Sequence, residues 1–181
     1  GGMRKLLAAT FVALLMVGCG ENNNVINKEI DLVSEPYFNQ KFGCSFRYPK
    51  SWIRQTPQLP TTLILLHSGK GQGSINLSVV PADRKTIEKY NEEYFYHTYK
   101  NAFPDLRINR VWQTQSIGRK YVYADYSFSM QTPEGPLPVR SLTLVALSNG
   151  NRFMLVCNTE SELYDQMKPI FNMVTSTFLI L

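Results

Sequence analysis

The sequence predicts an α+β fold: a mainly antiparallel sheet of about seven strands covered by two main helices. Three observations carry this reading. Apolar and polar residues alternate over several runs, the period of a half-buried strand. Four of these runs join pairwise across short turns, Ile117-Gly118 and Asn149-Gly150. Two further stretches repeat apolar residues at helical spacing, one after the third strand and one after the seventh. The 181 residues are 44% hydrophobic and 18% charged. That make-up excludes a mostly disordered chain and suits one domain with an appendage.

The elements follow in order. Phe42, Cys44, Phe46 and Tyr48 alternate with polar neighbours, predicting a first strand over 43–48 that Pro49 stops. Trp52 and Ile53 come after a tight turn. Strands over 63–67 and 74–80 follow, separated by the loop Ser68-Gly69-Lys70-Gly71-Gln72-Gly73. Residues 81–83 open a helix, with Asp83 as N-cap because its carboxylate can accept from free N–H groups. Ile87, Tyr90, Tyr94 and Thr98 share a face of that helix, and Pro104 ends it. A long hairpin spans 106–116 and 119–130, with Val122, Ala124, Tyr126, Phe128 and Met130 on one face and Tyr121, Tyr123, Asp125 and Ser127 on the other. Residues 131–136 read as a turn. The next hairpin, 139–148 and 152–158, closes on Asn149-Gly150, which suits a type I′ turn with positive φ at both central residues. Thr159-Glu160-Ser161-Glu162 is a capping-box pattern. The helix after it carries Leu163, Met167, Ile170, Phe171 and Val174 as its stripe, and Pro169 predicts a break or a second start. Residues 177–181 add a short strand.

The first 36 residues predict an address. Gly1 and Gly2 precede Met3 as a scar; Arg4-Lys5 and an apolar run over 6–17 follow. That run is about 18 Å long as helix, short of the roughly 20 residues a membrane span needs, and fits the core of a secretory signal over 1–18. Its end, Leu15-Met16-Val17-Gly18-Cys19, resembles a bacterial lipobox, with Met16 departing from the usual leucine. The resemblance implies lipid attachment at Cys19. Gly20 rather than aspartate follows, which leans towards the outer membrane. Residues 19–36, opening with Asn22-Asn23-Asn24, have too few apolar residues for a core and predict a flexible tether. The domain is then 37–181.

Phe46-Arg47-Tyr48-Pro49-Lys50-Ser51-Trp52 at the start and Val174-Thr175-Ser176-Thr177-Phe178 at the end carry a family likeness. With the helix after strand 3 and the long hairpins, residues 42–181 resemble the PsbP/DcrB-like superfamily. The resemblance implies an α-β-α sandwich and core packing for Phe46, Tyr48, Pro49, Trp52 and Phe178. It also implies largely non-catalytic relatives: photosystem extrinsic subunits, envelope lipoproteins and an import factor. No metal ligand set of photosynthetic relatives aligns onto this chain.

The residues offer little chemistry of their own. The net charge is +5, with no basic stripe of the kind nucleic acid needs. His67 and His97 are the only imidazole bases and lack a nucleophile at a recognisable spacing. The 69–74 segment has neither the spacing nor the following helix of a phosphate loop. Glu88, Glu92 and Glu93 read as a solvated helix face beside Lys85 and Lys89. No catalytic residue, metal site or cofactor is expected. Cys44 and Cys157 are an even pair in an oxidising compartment; they either form a disulfide or stay as two buried thiols. Tyr96, Tyr99, Tyr121 and Tyr123 are candidate partner-binding aromatics. The expected whole is a lipid-anchored extracytoplasmic protein of the bacterial envelope that binds an envelope protein or complex as an accessory or assembly factor. The rival is an enzyme or small-ligand carrier with a pocket between sheet and helix. A passive surface component is a third reading.

Overall fold

Strand alternation sorts the side chains of the long hairpins between two faces, and each face buries its apolar set under different elements. The computed structural model describes residues 34–181. The expected signal segment, Cys19 and the expected tether up to residue 33 lie outside the described residues. In chain order the strands and helices are β1 (Ser34–Asn39), β2 (Cys44–Pro49), β3 (Ile53–Gln55), β4 (Thr62–His67), β5 (Gly73–Pro81), α1 (Glu92–Tyr99), β6 (Arg107–Ser116), β7 (Arg119–Thr132), β8 (Gly135–Ser148), β9 (Asn151–Glu160), α2 (Tyr164–Ser176) and β10 (Leu179–Ile180). The main sheet has seven strands in the order β3-β4-β5-β9-β8-β7-β6, and its neighbours are antiparallel. β1, β2 and β10 form a second, smaller sheet with β2 in the middle.

On one face of the main sheet, Leu142, Leu144 and Ala146 of β8 and Phe153, Leu155 and Cys157 of β9 join Met167, Ile170, Phe171 and Val174 of α2 and Phe46 and Tyr48 of β2. Side chains of opposite parity, including Tyr126, Val145, Met154 and Val156, meet Tyr94, Phe95 and Tyr99 of α1. Each fully buried Leu or Phe in these layers stabilises the fold by about 1.5–3 kcal/mol. Phe46, Tyr48, Pro49, Trp52 and Phe178 are all buried, as the family likeness implies. Among the described residues, no helix is long and apolar enough to cross a membrane.

Several local expectations are corrected. Ser34, Glu35 and Pro36 are not tether; they pair with Pro49, Tyr48 and Arg47 of β2. Asp83 does not cap a helix. Its carboxylate accepts from the Tyr90 and Tyr94 hydroxyls at 2.8 and 2.9 Å, so it is committed to tertiary partners. α1 is capped by Asn91, whose Oδ1 accepts from the Tyr94 N–H at 3.0 Å. Glu92 and Glu93 then occupy the first turn, where the helix dipole favours negative charge. Ile87 and Tyr90 reach the same core from a short 3₁₀ turn instead. The capping box does not form: Thr159 and Glu160 extend β9, and Thr159 Oγ1 donates to the Gln72 carbonyl. Pro169 does not break α2, which runs through it. Proline removes the hydrogen bond to the Asp165 carbonyl, and both residues are exposed, so water can serve that carbonyl. The 131–136 turn shrinks to Pro133-Glu134, because β7 and β8 stay paired to Thr132 and Gly135.

Candidate interaction surface

The turn at Ile117-Gly118 fixes what lies across the β6–β7 hairpin. Counting back from Ser116↔Arg119, Trp112 faces Tyr123. Their rings stack at 5.1 Å and 8°, and the Arg110 guanidinium sits 4.6 Å from the Trp112 centroid. Arg110 is exposed and both rings are half-buried. Further along the same face, Asp125 accepts from Arg140 Nε and Nη2 at 3.0 and 2.8 Å and from Asn109 Nδ2 at 3.1 Å. Arg140 lies 3.9 Å over the buried Tyr164 ring, and its bond to Asp125 holds it more firmly charged than usual. The result is an Arg-Trp-Tyr patch on a rigid strand pair with fixed charges beside it, the residue mix of energetic anchors at protein interfaces. A groove of about 470 Å³ runs along the β6 edge, between Val111, Trp112 and Gln113 on one wall and Glu88, Tyr90, Asn91 and Glu92 on the other.

The end of the sheet that carries the Ile117-Gly118 and Asn149-Gly150 turns holds two adjoining grooves. One, about 360 Å³, lies between Lys85 and Thr86 and the Ile117–Lys120 strand tip. The other, about 570 Å³, lies between Asp83, Arg84 and the Asn149-Gly150 turn. Asp83, in the wall of the second groove, ties that wall to α1 and β9. Besides its two tyrosine bonds it meets Arg152 Nη1 at 3.3 Å, and that nitrogen donates to Tyr94 Oη at 2.7 Å. Burial alone would raise the Asp83 carboxyl, but the Tyr90 and Tyr94 hydroxyls and the Arg152 charge outweigh it and hold it below the usual carboxylate range. Burial pushes the Tyr94 hydroxyl up to about 12, and burial and Asp83 raise Tyr90 as well. At neutral pH this is a poor base beside two hydroxyls that keep their protons. Such a cluster braces the loop against β9 and does not move protons readily.

The predicted residues fall in separate places. Tyr96 is 46% exposed on α1, with Lys100 Nζ 5.5 Å from its ring. Tyr123 is in the patch. Tyr99 and Tyr121 are corrected: they are 1% and 5% exposed and cannot meet a partner. Tyr99 stacks on Tyr126 at 5.3 Å because α1 turns it onto the sheet. Tyr121 lies under the opposite layer, edge-on to Phe178 at 6.4 Å. Cys44 and Cys157 are both buried and free, not a disulfide. Cys44 starts β2 of the small sheet and Cys157 lies on β9 of the main one. Burial pushes the Cys44 thiol up to about 11 and raises Cys157 further, so neither is a ready thiolate. Cys19 lies outside the described residues. His67 Nδ1 bonds its neighbour Ser68 O at 2.9 Å, and His97 sits 3.7 Å from exposed Glu93. Glu88 leaves the presumed helix face, sits in the 3₁₀ turn and pairs with Lys120 at 2.9 Å. Among the described residues, no group of three or more His, Cys, Asp or Glu could hold a metal ion. In the 68–73 loop, Gly73 is closely packed: a Cβ there would press on the end of Met167 and on the Trp52 ring, so both side chains would have to shift. Trp112 and Arg110 were not among the predicted residues, although the hairpin turn alone sets Trp112 opposite Tyr123.

Comparisons with known proteins agree with this fold. The solution structure of cyanobacterial PsbP (CyanoP) from Synechocystis sp. PCC 6803 superposes with a TM-score of 0.65 at 16% identity, covering 91% of this chain and 99% of that one. The Ran-binding protein Mog1p of Saccharomyces cerevisiae gives 0.58 at 8% identity, over 81% and 95%. LpqN, involved in cell envelope biogenesis of Mycobacterium tuberculosis, gives 0.52 at 14%, over 80% and 88%. No curated protein sequence matches the chain. The PsbP family profile matches residues 34–180, which is every described strand and helix, and the chain therefore belongs to the PsbP family.

Proposed function

We propose that this protein is a lipid-anchored component of the bacterial envelope that works by binding, as an accessory or assembly factor for a membrane-associated complex. The observation that carries the reading is the Arg110–Trp112–Tyr123 patch, which keeps two stacked aromatic rings accessible on a stiff hairpin. Aromatic and arginine side chains on a preorganised surface lose little entropy when a partner packs on them. Two of the three grooves described above lie at the turn end of the sheet, and the third lies between the β6 edge and the segment that opens α1. Mog1p, a Ran-binding protein, and LpqN, involved in envelope biogenesis, show that the fold serves such roles in other proteins. The Cys19 anchor is read from the lipobox likeness alone.

The test is a pull-down from crosslinked envelopes with the wild-type chain and Trp112→Ala. The reading expects a discrete protein adduct that falls at least about tenfold in the variant, since removing an interface anchor costs at least about 2 kcal/mol. Equal adducts from both chains, or none from either, would contradict it. Thermal denaturation of Trp112→Ala confirms that the comparison is between folded proteins.

A further inference from the structure

The two hairpin turns at one end of the main sheet obey different rules. Asn149-Gly150 uses the residues that tolerate positive φ, with φ of 51° at Asn149 and 74° at Gly150. Ile117 has the same φ of 51°, in a region that a β-branched side chain strongly disfavours. It is also 85% exposed. Ile117 thus combines backbone strain with an apolar side chain held in water, and neither helps the fold. Residues that break a local rule at a rigid position mark function more often than accident.

The surroundings say what such a tip could meet. Ile117 forms one lip of the 360 Å³ groove; Arg119 and Lys120 continue that wall, Lys85 and Thr86 face them, and Leu147 also lines it. Lys120 is neutralised by Glu88 at 2.9 Å. Lys85 and Arg119 have no carboxylate partner among the described residues. Arg119 is held in place by its Nη1, which donates to the Leu147 carbonyl at 2.7 Å. Arg84, at the neighbouring groove, is fixed over the Tyr94 ring at 5.1 Å. The groove is therefore an open depression with positive charge unpaired by carboxylates on both walls and an apolar lip. That charge is complementary to an acidic polypeptide segment.

The chain's entry point adds an orientation. Ser34 pairs with Pro49, Trp52 adjoins Gly73, and Gly73 pairs with Thr159. The described chain thus begins at the end of the sheet opposite Asn149-Gly150 and Ile117-Gly118.

We propose that the cleft between Lys85 and the Ile117–Lys120 tip binds an acidic segment of a protein partner, with Ile117 as its apolar contact. The inference rests on the protein-binding reading above but uses a different surface. The test titrates the full chain with a labelled peptide of alternating glutamate and leucine, with the same peptide carrying glutamine for glutamate, and with phosphatidylcholine vesicles with and without phosphatidylglycerol. The acidic peptide is expected to bind, with an affinity that falls with salt. Lys85→Glu is expected to weaken it at least about tenfold. Ile117→Asn is expected to weaken it about fivefold while raising Tm, which separates lost contact from lost folding. Equal binding of the glutamine peptide, no binding of the acidic one, unchanged affinity in both variants, or a preference for phosphatidylglycerol vesicles would overturn the inference. A Trp112→Ala chain that keeps its peptide affinity but shows no change in envelope adducts would overturn the proposed function and leave this cleft standing.

Discussion

Asp83 shows how far one side chain can carry a local arrangement. It joins the loop after β5, the hydroxyls of Tyr90 and Tyr94 and the guanidinium of Arg152 from β9. Its carboxyl is held below its usual value of 3.8. A depressed carboxyl contributes stability that is fully present above the unfolded value and is lost as pH falls through the lower folded one. Asp83→Asn is therefore expected to cost about 2 kcal/mol at neutral pH, discounted from a fully buried pair because Asp83 keeps some solvent contact. It should also flatten the stability loss below about pH 4. Urea denaturation of both proteins from neutral pH into that range checks this; parallel curves would show that Asp83 does not titrate as argued. Ile117 is the opposite case. Relieving its left-handed strain with asparagine is worth about 1 kcal/mol, the physical basis of the Tm rise expected for Ile117→Asn.

The second helix and the long hairpin teach different lessons about what sequence makes legible. Hairpins were legible because their turns fix register: from Ile117-Gly118 alone, the Trp112–Tyr123 pairing follows by counting, and the structure has it. Faces were legible from alternation, as Val122 through Met130 demonstrate. Helix starts were not. Asp83, Asn91 and Thr159 all offer capping chemistry, and the choice among them is made by tertiary partners that sequence spacing does not display. Pro169 predicts a break because a proline costs about 3 kcal/mol in an isolated helix. Burial of Met167, Ile170 and Phe171 on the same helix outweighs that. Pro169→Ala restores the hydrogen bond to Asp165 and is expected to stabilise the domain by about 1–3 kcal/mol, with unfolding midpoint as the readout. A loss of stability would mean that the proline shapes the packing of α2 instead of being tolerated.

At the scale of the molecule, both faces of the main sheet are occupied, one by α2 and the small sheet and one by α1. That is why Tyr99 and Tyr121 are lost as contact residues: Tyr99 faces the sheet from α1 and Tyr121 faces the layer that holds Phe178, whereas Tyr96 points outward from the same helix. The β6 edge of the sheet and its turn end carry Arg110, Trp112 and Tyr123 and the Lys85–Ile117 cleft, while Phe38 on β1, Ile53 on the β3 edge and Tyr96 on α1 are exposed elsewhere. The family likeness was readable from five core positions because packing constrains them. The binding surface was only half readable, since exposure depends on which strand ends up at the edge. The central claim is that the β6–β7 patch meets a protein. A photoreactive residue placed at position 112 of the full chain in living cells tests it most directly, with one at exposed Lys168 on α2 as reference. The account predicts a discrete protein adduct from position 112 and none from position 168; adducts of equal yield from both positions, or from neither, would contradict it.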